Sequence, residues 1–551
     1  MHGLFAALLF SAAAAAPDLI LHHGGVFLSP SRRAEAVAIS GERITAVGTD
    51  KEILPLKGPK TKVIDLAGRA VTPGFHDAHV HFIKGALSLV RADLFGTTSV
   101  AQIQQRLRKF VDSGPAEDWI QGRGWDHTAF ADPAYPTRQD IDAIVSTRPV
   151  VLTHADGNEI LWANTLALKM AGITAQVQDP PNGQIIRDSK GEPTGVLTGA
   201  AAAMLEAAVP APGRAIKKAA LKKALALARR AGVTSIQGQL DVAPQEQLGL
   251  WRELDREGDV NLRYFIWGML DEQELAAKLR KEFADLPAEK FQIGGLKAIL
   301  DGVISARTAA LLKPYSDAPQ LNAEPRYTAD ELAGLMKKGH ELGFQIVMHA
   351  IGDRSVRLAL DSCQALAPWP KARLLPPCKI EHIELIDPSD LPRFKALGVV
   401  ASMQPSHMTY DLEAQNYNPQ RLGDRIGYSF AWRSFLDNGA ILAFGTDWPV
   451  MPLEPRVGLF AATTRQHFDG KPAGGWVPKQ KLSLGEAIRQ YTLAPAQAIG
   501  RDKELGSLAV GQLADLVVFD KNIFSVEGLA LLKIEVDMTI FNGKIVYDKE
   551  K

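Results

Sequence analysis

Strand-like and helix-like segments alternate through the middle of the chain, and this alternation restricts the possible folds more than any other feature. Short apolar runs rich in β-branched residues are separated by longer amphipathic stretches. One of these, "TADELAGLMKKGHELG", opens with a capping box at Thr328 and Glu331 and ends at Gly343. Parallel strands need such helical crossovers. The pattern therefore predicts a parallel sheet covered by helices.

The number of strand segments predicts the kind of sheet. The first segment contains "GFHDAHVHF", and the others span Val233–Gly238, Leu262–Gly268, Ile293–Asp301, Phe344–His349, Lys379–His382, Val399–Met403 and Ile441–Asp447. These segments predict an α/β fold, a (β/α)8 barrel of the TIM type over residues 73–497. About 150 residues separate the first two strands, far more than a crossover needs. We therefore expect an insertion at about 83–215 that covers the barrel mouth.

Both ends of the chain carry short strand patterns. "AEAVAISGERITAVG" predicts two strands around Gly41 and Glu42, and "DMTIFNGKIVYD" predicts a hairpin around an Asn-Gly turn. We expect residues 17–72 and 498–551 to form one small β-domain together. Residues 1–16 carry an apolar run from Leu4 and then small residues, which predicts a cleaved signal peptide and a periplasmic or secreted protein. A disordered alanine-rich tail is the alternative.

Composition excludes some partners. The chain has 62 basic and 62 acidic residues, so charge gives no indication of nucleic acid binding. Beyond the signal, no apolar run is long enough to predict a membrane anchor. We expect Cys363 and Cys378 to be buried, inert thiols rather than a disulfide framework. The oligomeric state is unknown from the sequence, and the motifs of serine hydrolases, nucleotide hydrolases and dehydrogenases are absent.

Polar residues lie where the predicted strands end. In "GFHDAHVHF" the period of two places Asp77, His79 and His81 on one face of the first strand. The ends of strands four, five, six and eight carry Lys297, His349, His382 and Asp447. Active sites of barrels lie at this end, and imidazoles and carboxylates are ligands of zinc-like ions. A single histidine on a strand is more often a core residue, but the whole set predicts a metal centre.

The sequence resembles the amidohydrolase superfamily of metal-dependent hydrolases, and within it the amidohydrolase-3 branch that includes N-substituted formamide deformylases. The resemblance covers the mature chain and is carried by "TPGFHDAHVHF", "DWIQGRGWDHT", "GGLKAILDGVISARTA", "HAIGD", "KIEHIE", "QPSH", "FGTDWPV" and "LGSLAVGQLADLVVFD". It implies a centre of one or two divalent ions, with zinc the expected metal, and a small-molecule substrate.

The resemblance also implies a role for each ligand. His79 and His81 would bind the more buried metal, and His349 and His382 the second. Asp447 would bind the first metal and act as the general base. Lys297 would be carboxylated by CO2 to a carbamate that bridges both ions, a reaction open only to a desolvated, neutral lysine. A salt bridge from Lys297 to Asp301 is the alternative.

Residues around the metal ligands are less clearly assigned. The candidates for substrate contact or for support of the ligands are Asp77, Trp125, Asn158, Arg307, Asp353 and His407. Relatives often have histidine where this chain has Asn158, and histidine or aspartate where it has Gln237, so the substrate contacts depart from the family pattern. The role of His127 is open, and surface or packing roles are expected for His22, His23, His340 and His467.

The leading functional hypothesis is a hydrolase that cleaves a non-peptide C–N bond, an amide or formamide, with metal-activated water. Asp447 would take the proton of the water and pass it to the departing amine. Hydrolysis of a lactone or ester, or deamination of a ring, is an alternative on the same centre. An inactive secreted binding protein is the alternative from another class, and the filled ligand positions argue against it.

Overall fold

A computed structural model describes residues 16–114, 117–132, 134–155, 157–181, 183–240, 243–368, 375–411 and 417–550. Apart from residue 16, the expected signal peptide lies outside these ranges and stays a prediction. Within the described ranges, no helix combines the length and the apolar character needed to cross a membrane.

In the described part of the chain, eight parallel strands form the central sheet in their order along the chain, with the insertion between the first two. They span Phe75–Val80, Val233–Gln239, Arg263–Met269, Phe291–Ile299, Gln345–Ala350, Cys378–His382, Val400–Met403 and Ile441–Phe444. A parallel bridge between Val80 and Trp448 brings the eighth strand back to the first. The predicted (β/α)8 barrel is confirmed, although the eighth strand ends at Phe444 rather than at Asp447.

Amphipathic helices surround the barrel and pack their apolar faces against it. They span Arg214–Arg230, Pro244–Arg256, Gln273–Glu282, Ala329–Glu341, Asp353–Ala365, Leu391–Leu397, Trp432–Asp437, Pro455–Thr464, Leu484–Gln490 and Leu493–Ala498. Two further helices, Pro405–Asp411 and Tyr417–Leu422, follow the seventh strand. Thr328 and Glu331 form the predicted capping box, and Leu332 and Met336, four residues apart, are fully buried.

The insertion after the first barrel strand forms its own mixed sheet. Its described strands are Ala92–Asp93, Ile120–Trp125, Val150–His154, Gly157–Ala163, Gly183–Arg187 and Pro193–Gly199. Its helices are Phe82–Ser88, Val100–Asp112, Arg138–Asp142, Thr165–Met170 and Ala200–Glu206. The Arg123 guanidinium donates a hydrogen bond to the carbonyl oxygen of Pro449, at 3.0 Å. The insertion therefore contacts the loop after the eighth strand, at the barrel mouth.

The two chain ends combine, as predicted. One sheet contains Leu19–His22, Ala36–Ser40, Arg43–Gly48 and Lys62–Asp65, and a second contains Gly25–Ser29, Arg32–Ala34, Ala70–Pro73, Leu516–Phe519, Val536–Phe541 and Lys544–Asp548. The short helix Asp50–Ile53 follows the first sheet's third strand. The predicted Asn-Gly turn at Asn542 and Gly543 joins the last two strands, and both residues have positive φ.

The two cysteines form a disulfide, which corrects the expectation of inert thiols. Cys363 lies in the helix Asp353–Ala365, Cys378 opens the sixth barrel strand, and their Cα atoms are 6.7 Å apart. Both residues are fully buried. The bond depends on how this helix packs on this strand, which the spacing of two cysteines does not indicate.

Removing the disulfide is expected to lower stability. The variant Cys363→Ala/Cys378→Ala opens a cross-link between residues 15 positions apart, for which chain entropy gives about 3 kcal/mol. Differential scanning calorimetry should show a lower Tm for the variant. A thiol reductant should lower the Tm of the unmodified protein and leave that of the variant unchanged. Equal melting temperatures for the two proteins would contradict a stabilising bond.

Candidate active site

Among the described residues, imidazoles and a carboxylate converge at the carboxyl ends of the barrel strands. His79 lies on the first strand, His81 directly follows that strand, His382 ends the sixth, and Asp447 lies in the loop after the eighth. Asp447 Oδ1 is 3.5 Å from His79 Nε2 and 3.3 Å from His81 Nε2. His79, His382 and Asp447 bring ligand atoms within 4.8 Å of one another. We call these four residues the barrel-end cluster.

The barrel-end cluster fits a divalent metal ion. Ligand atoms at zinc distances in tetrahedral geometry lie about 3.3–3.6 Å apart, which matches the spacing around Asp447. Burial lowers the pKa of His79 to about 4 and lowers the pKa of His382 well below its usual value. Both imidazoles are therefore neutral near pH 7, as metal ligation requires. Nδ1 of His382 is buried and has no hydrogen-bond partner among the described residues.

Unusual backbone conformations position two of these residues. His382 has φ = 75° and Asp447 has φ = 58°, a left-handed region that side chains other than glycine seldom adopt. The backbone N–H of Asp447 donates to the carbonyl oxygen of His79 at 2.7 Å. A Cβ atom at Gly445 would lie 2.5 Å from the His79 nitrogen. Glycine thus lets the eighth strand approach the first closely enough to bring Asp447 to the histidines.

Lys297 and His349 occupy the fourth and fifth strands beside the barrel-end cluster. Lys297 is only 2% exposed, and its Nζ lies 5.5 Å from the centre of the Trp267 ring. The ring centres of His349 and His382 are 4.4 Å apart, and His349 Nε2 lies 3.6 Å from Asp301. Burial lowers the pKa of His349 to about 3. A buried lysine and a third neutral imidazole are therefore available next to the cluster.

A buried charge pair orients His79. Nδ1 of His79 donates a hydrogen bond to Glu381 at 2.7 Å, and the other oxygen of Glu381 lies 3.1 Å from Lys379 Nζ. Lys379 also donates to the carbonyl oxygen of Ala78 and to the side chain of Gln237. Burial alone would raise the pKa of the Glu381 carboxyl, but Lys379 and His79 hold it below its usual value. This hydrogen bond keeps the proton of the His79 imidazole on Nδ1. The lone pair of Nε2 is therefore free to face Asp447 and an ion bound there.

Glu381 and Lys379 were missed in the sequence. Their spacing in the sequence could have indicated them. The two charged residues occupy alternate positions of a strand that is predicted to be buried, so both side chains lie on one face and need partners there. Gln237, noted only as a departure from the family pattern, accepts a hydrogen bond from Lys379 and so helps to hold this pair.

Glu381→Gln is expected to weaken metal binding by about 10- to 100-fold. The substitution removes the charge that holds the His79 imidazole and leaves Lys379 without its buried counter-charge. Competition with a chromophoric chelator measures the affinity. Glu246→Gln is the matched control, because Glu246 pairs with Lys217 on barrel helices. Equal affinities for both variants would show that Glu381 does not orient the ligand.

Asp77 and His407 also lie at this end of the barrel. Asp77 accepts hydrogen bonds from the backbone N–H groups of His79, at 3.1 Å, and Thr446, at 2.9 Å. Burial raises the pKa of Asp77 to about 7. His407 Nε2 lies 3.5 Å from the second oxygen of Asp447. Asp77 therefore supports the backbone of His79, and His407 lies beside the Asp447 carboxylate.

The contacts of Asp353 and Arg307 differ from those expected of residues that bind substrate or support the metal ligands. Asp353 accepts a hydrogen bond from the backbone N–H of Leu312 at 2.8 Å, so it holds a loop rather than a ligand imidazole. Arg307 forms an ion pair with Asp317 at 2.7 Å, which is a structural contact. Instead, Glu381 contacts the His79 imidazole and Asp301 lies near the His349 imidazole.

The two candidates from the insertion are placed differently. Trp125 is fully buried, and its indole N–H donates to the carbonyl oxygen of Leu152 at 2.9 Å. It is therefore part of the insertion core. Asn158 falls in the strand Gly157–Ala163, but its side chain lies outside the described residues.

Comparisons with known proteins identify the family of this chain. The model of the amidohydrolase family matches residues 62–547. N-substituted formamide deformylase of Arthrobacter pascens is 26% identical over 552 residues, which cover 97% of this chain and 98% of the relative. Protein LONG AFTER FAR-RED 3 of Arabidopsis thaliana is 29% identical over 545 residues, with coverages of 96% and 91%. A crystal structure of an uncharacterized metal-dependent hydrolase from Pyrococcus horikoshii OT3 has a TM-score of 0.74 at 26% identity and covers 92% of this chain and 98% of its own. The extent of the family match shows that this chain belongs to the amidohydrolase family, as its sequence motifs predict.

Proposed function

We propose that the protein is a metal-dependent hydrolase that cleaves an amide or formamide C–N bond, outside peptides, in a small molecule. The convergence of His79, His81, His382 and Asp447 at the barrel mouth, with the spacing and protonation of metal ligands, carries the proposal. The choice of bond is supported by the relative named as an N-substituted formamide deformylase, which aligns along nearly its whole length.

The side chains divide the chemistry among them. A bound divalent metal supplies a Lewis acid and lowers the pKa of water that it binds. Asp447 is the carboxylate in contact with His79, His81 and His407, and it takes a proton from the attacking water and passes it to the departing amine. In this proposal His407, which lies 3.5 Å from Asp447, donates a hydrogen bond to the substrate carbonyl oxygen.

Zinc is the metal that we propose, with Lys297 carboxylated as a further ligand. The ligand set of neutral imidazoles and a carboxylate suits zinc. The burial of Lys297 and its place beside His349 and the barrel-end cluster support the carbamate, because desolvation favours the neutral amine that reacts with CO2.

A turnover panel tests the choice of bond. Metal-loaded protein is assayed with matched sets of N-formyl amines, N-acyl amines, esters, lactones and ring amines, and released amine, acid and ammonia are quantified. Formamides or amides are expected to give the highest kcat/KM. Faster hydrolysis of esters or lactones, or release of ammonia from rings, would replace this proposal with the corresponding activity. Metal-loaded protein that binds a panel compound tightly and turns over none would indicate a binding protein.

A further inference from the structure

A second group of metal-ligand side chains lies in the insertion. Asp126 follows the strand Ile120–Trp125, His127 comes next, and His154 ends the adjacent parallel strand Val150–His154. Because neighbouring parallel strands end at the same edge of a sheet, these side chains meet there. We call Asp126, His127 and His154 the insertion cluster.

The spacing within the insertion cluster is that of zinc ligands. His127 Nδ1 lies 3.3 Å from His154 Nε2, which in turn lies 3.4 Å from Asp126 Oδ1. All three side chains bring ligand atoms within 4.8 Å of one another. Two atoms bound to one tetrahedral zinc at about 2.0–2.1 Å are about 3.3–3.4 Å apart. The barrel-end cluster has the same spacing, 3.3 and 3.5 Å around Asp447.

Hydrogen bonds from a protonated His154 Nε2 to Asp126 and His127 are the competing interpretation. A hydrogen bond between imidazole and carboxylate is normally about 2.7–2.9 Å long. The buried contact of His79 with Glu381, at 2.7 Å, is an example in this protein. The contact of His154 with Asp126, at 3.4 Å, is longer by the margin expected when both atoms face one ion. The spacing of these atoms therefore matches shared ligation of one ion.

The surroundings hold the two imidazoles in place. The Trp125 ring meets His154 edge to face, with centres 4.9 Å apart, and the Tyr135 ring lies 4.3 Å from that of His127. Trp125 is itself fixed by its hydrogen bond to Leu152. His154 is 2% exposed as a side chain, and Asp126 is 21% exposed. Imidazole rings held by aromatic neighbours lose little conformational freedom when they bind an ion. The partly exposed Asp126 leaves a route from solvent by which an ion can reach them.

We propose that Asp126, His127 and His154 bind a Zn²⁺ ion at a site distinct from the barrel-end cluster. A set of three protein ligands leaves a tetrahedral position for water or another ligand. Arg123, on the same strand as Trp125, donates to the carbonyl oxygen of Pro449 at the barrel mouth. The ion thus fixes the edge of the insertion that contacts the loop carrying Asp447.

Metal counting in a background that lacks two of the four barrel-end residues, His79 and His81, tests the proposal. His79→Ala/His81→Ala protein, reconstituted with Zn²⁺ and freed of excess by gel filtration, is expected to keep about one zinc per chain. Adding His154→Gln should remove that ion, whereas adding His22→Gln, on a terminal strand, should leave it. Zinc content that does not change on adding His154→Gln overturns the proposal.

A second measurement does not depend on the folding of these variants. Crystals of the unmodified protein, reconstituted with Zn²⁺, are measured on both sides of the zinc absorption edge. We expect an anomalous peak about 2.0–2.1 Å from His154 Nε2 and His127 Nδ1. Absence of a peak between these atoms in crystals that show zinc elsewhere overturns the proposal. Either result is independent of which bond the barrel-end cluster cleaves.

Discussion

Asp447→Asn is expected to lower kcat by about 10²- to 10⁴-fold on the best substrate of the panel. The amide cannot accept a proton from the attacking water, and it replaces an anionic ligand beside His79 and His81 by a neutral one. The positive φ of 58° at this position is compatible with asparagine, which tolerates the left-handed region, so the backbone should be preserved. Steady-state kinetics and metal analysis on the same preparation measure both effects.

The control for this variant is Asp255→Asn. Asp255 forms an ion pair with Lys290 at 2.6 Å, away from the barrel-end cluster, so its replacement should leave kcat unchanged. Circular dichroism should show both variants folded. A kcat for Asp447→Asn within a factor of about two of the unmodified protein would exclude general-base catalysis by Asp447.

Lys297→Ala is expected to lower both metal occupancy and turnover. Two adjacent divalent ions repel each other, and a protonated lysine among them would add to the repulsion. A carbamate on Lys297, as we propose, would supply an anionic group between them, and the 2% exposure of this residue favours the neutral amine from which it would form. Acetate or propionate should restore part of the metal content and turnover by filling the space with a carboxylate.

Carbon-13 NMR tests the carbamate itself. Protein equilibrated with ¹³C-bicarbonate should show a carbamate signal that is absent in Lys297→Ala. If Lys297→Ala binds two metal ions and turns over at the unmodified rate, the bridging role is wrong. Lys297 would then be a structural residue.

The sequence predicted the barrel well because each strand and helix is marked locally. The apolar runs, the capping box at Thr328 and the turn at Asn542 and Gly543 depend only on nearby residues.

The ends of the strands were predicted less well. His81 was expected on the strand face, yet it follows the strand and begins the helix Phe82–Ser88. Asp447 was expected on the eighth strand, yet a loop with positive φ carries it to the site.

What the sequence did not indicate depends on contacts between distant segments. Glu381 and His79 are 302 positions apart, and their contact arises only when the sixth strand faces the first across the barrel. The disulfide depends on the packing of one helix on one strand. Asp353 was interpreted from the motif "HAIGD", but it accepts a hydrogen bond from the backbone N–H of Leu312, in a loop whose position the sequence does not indicate.

The metal content of His79→Ala/His81→Ala tests the metal centre most directly. His22→Ala/His23→Ala is the matched control, since it removes two histidines from a terminal strand and its turn. Inductively coupled plasma mass spectrometry counts the ions in each purified protein, and circular dichroism verifies folding. We expect the barrel variant to lose at least one ion per chain and all turnover, while the control keeps both. A folded barrel variant with the full metal content and normal turnover would contradict a metal centre at His79 and His81.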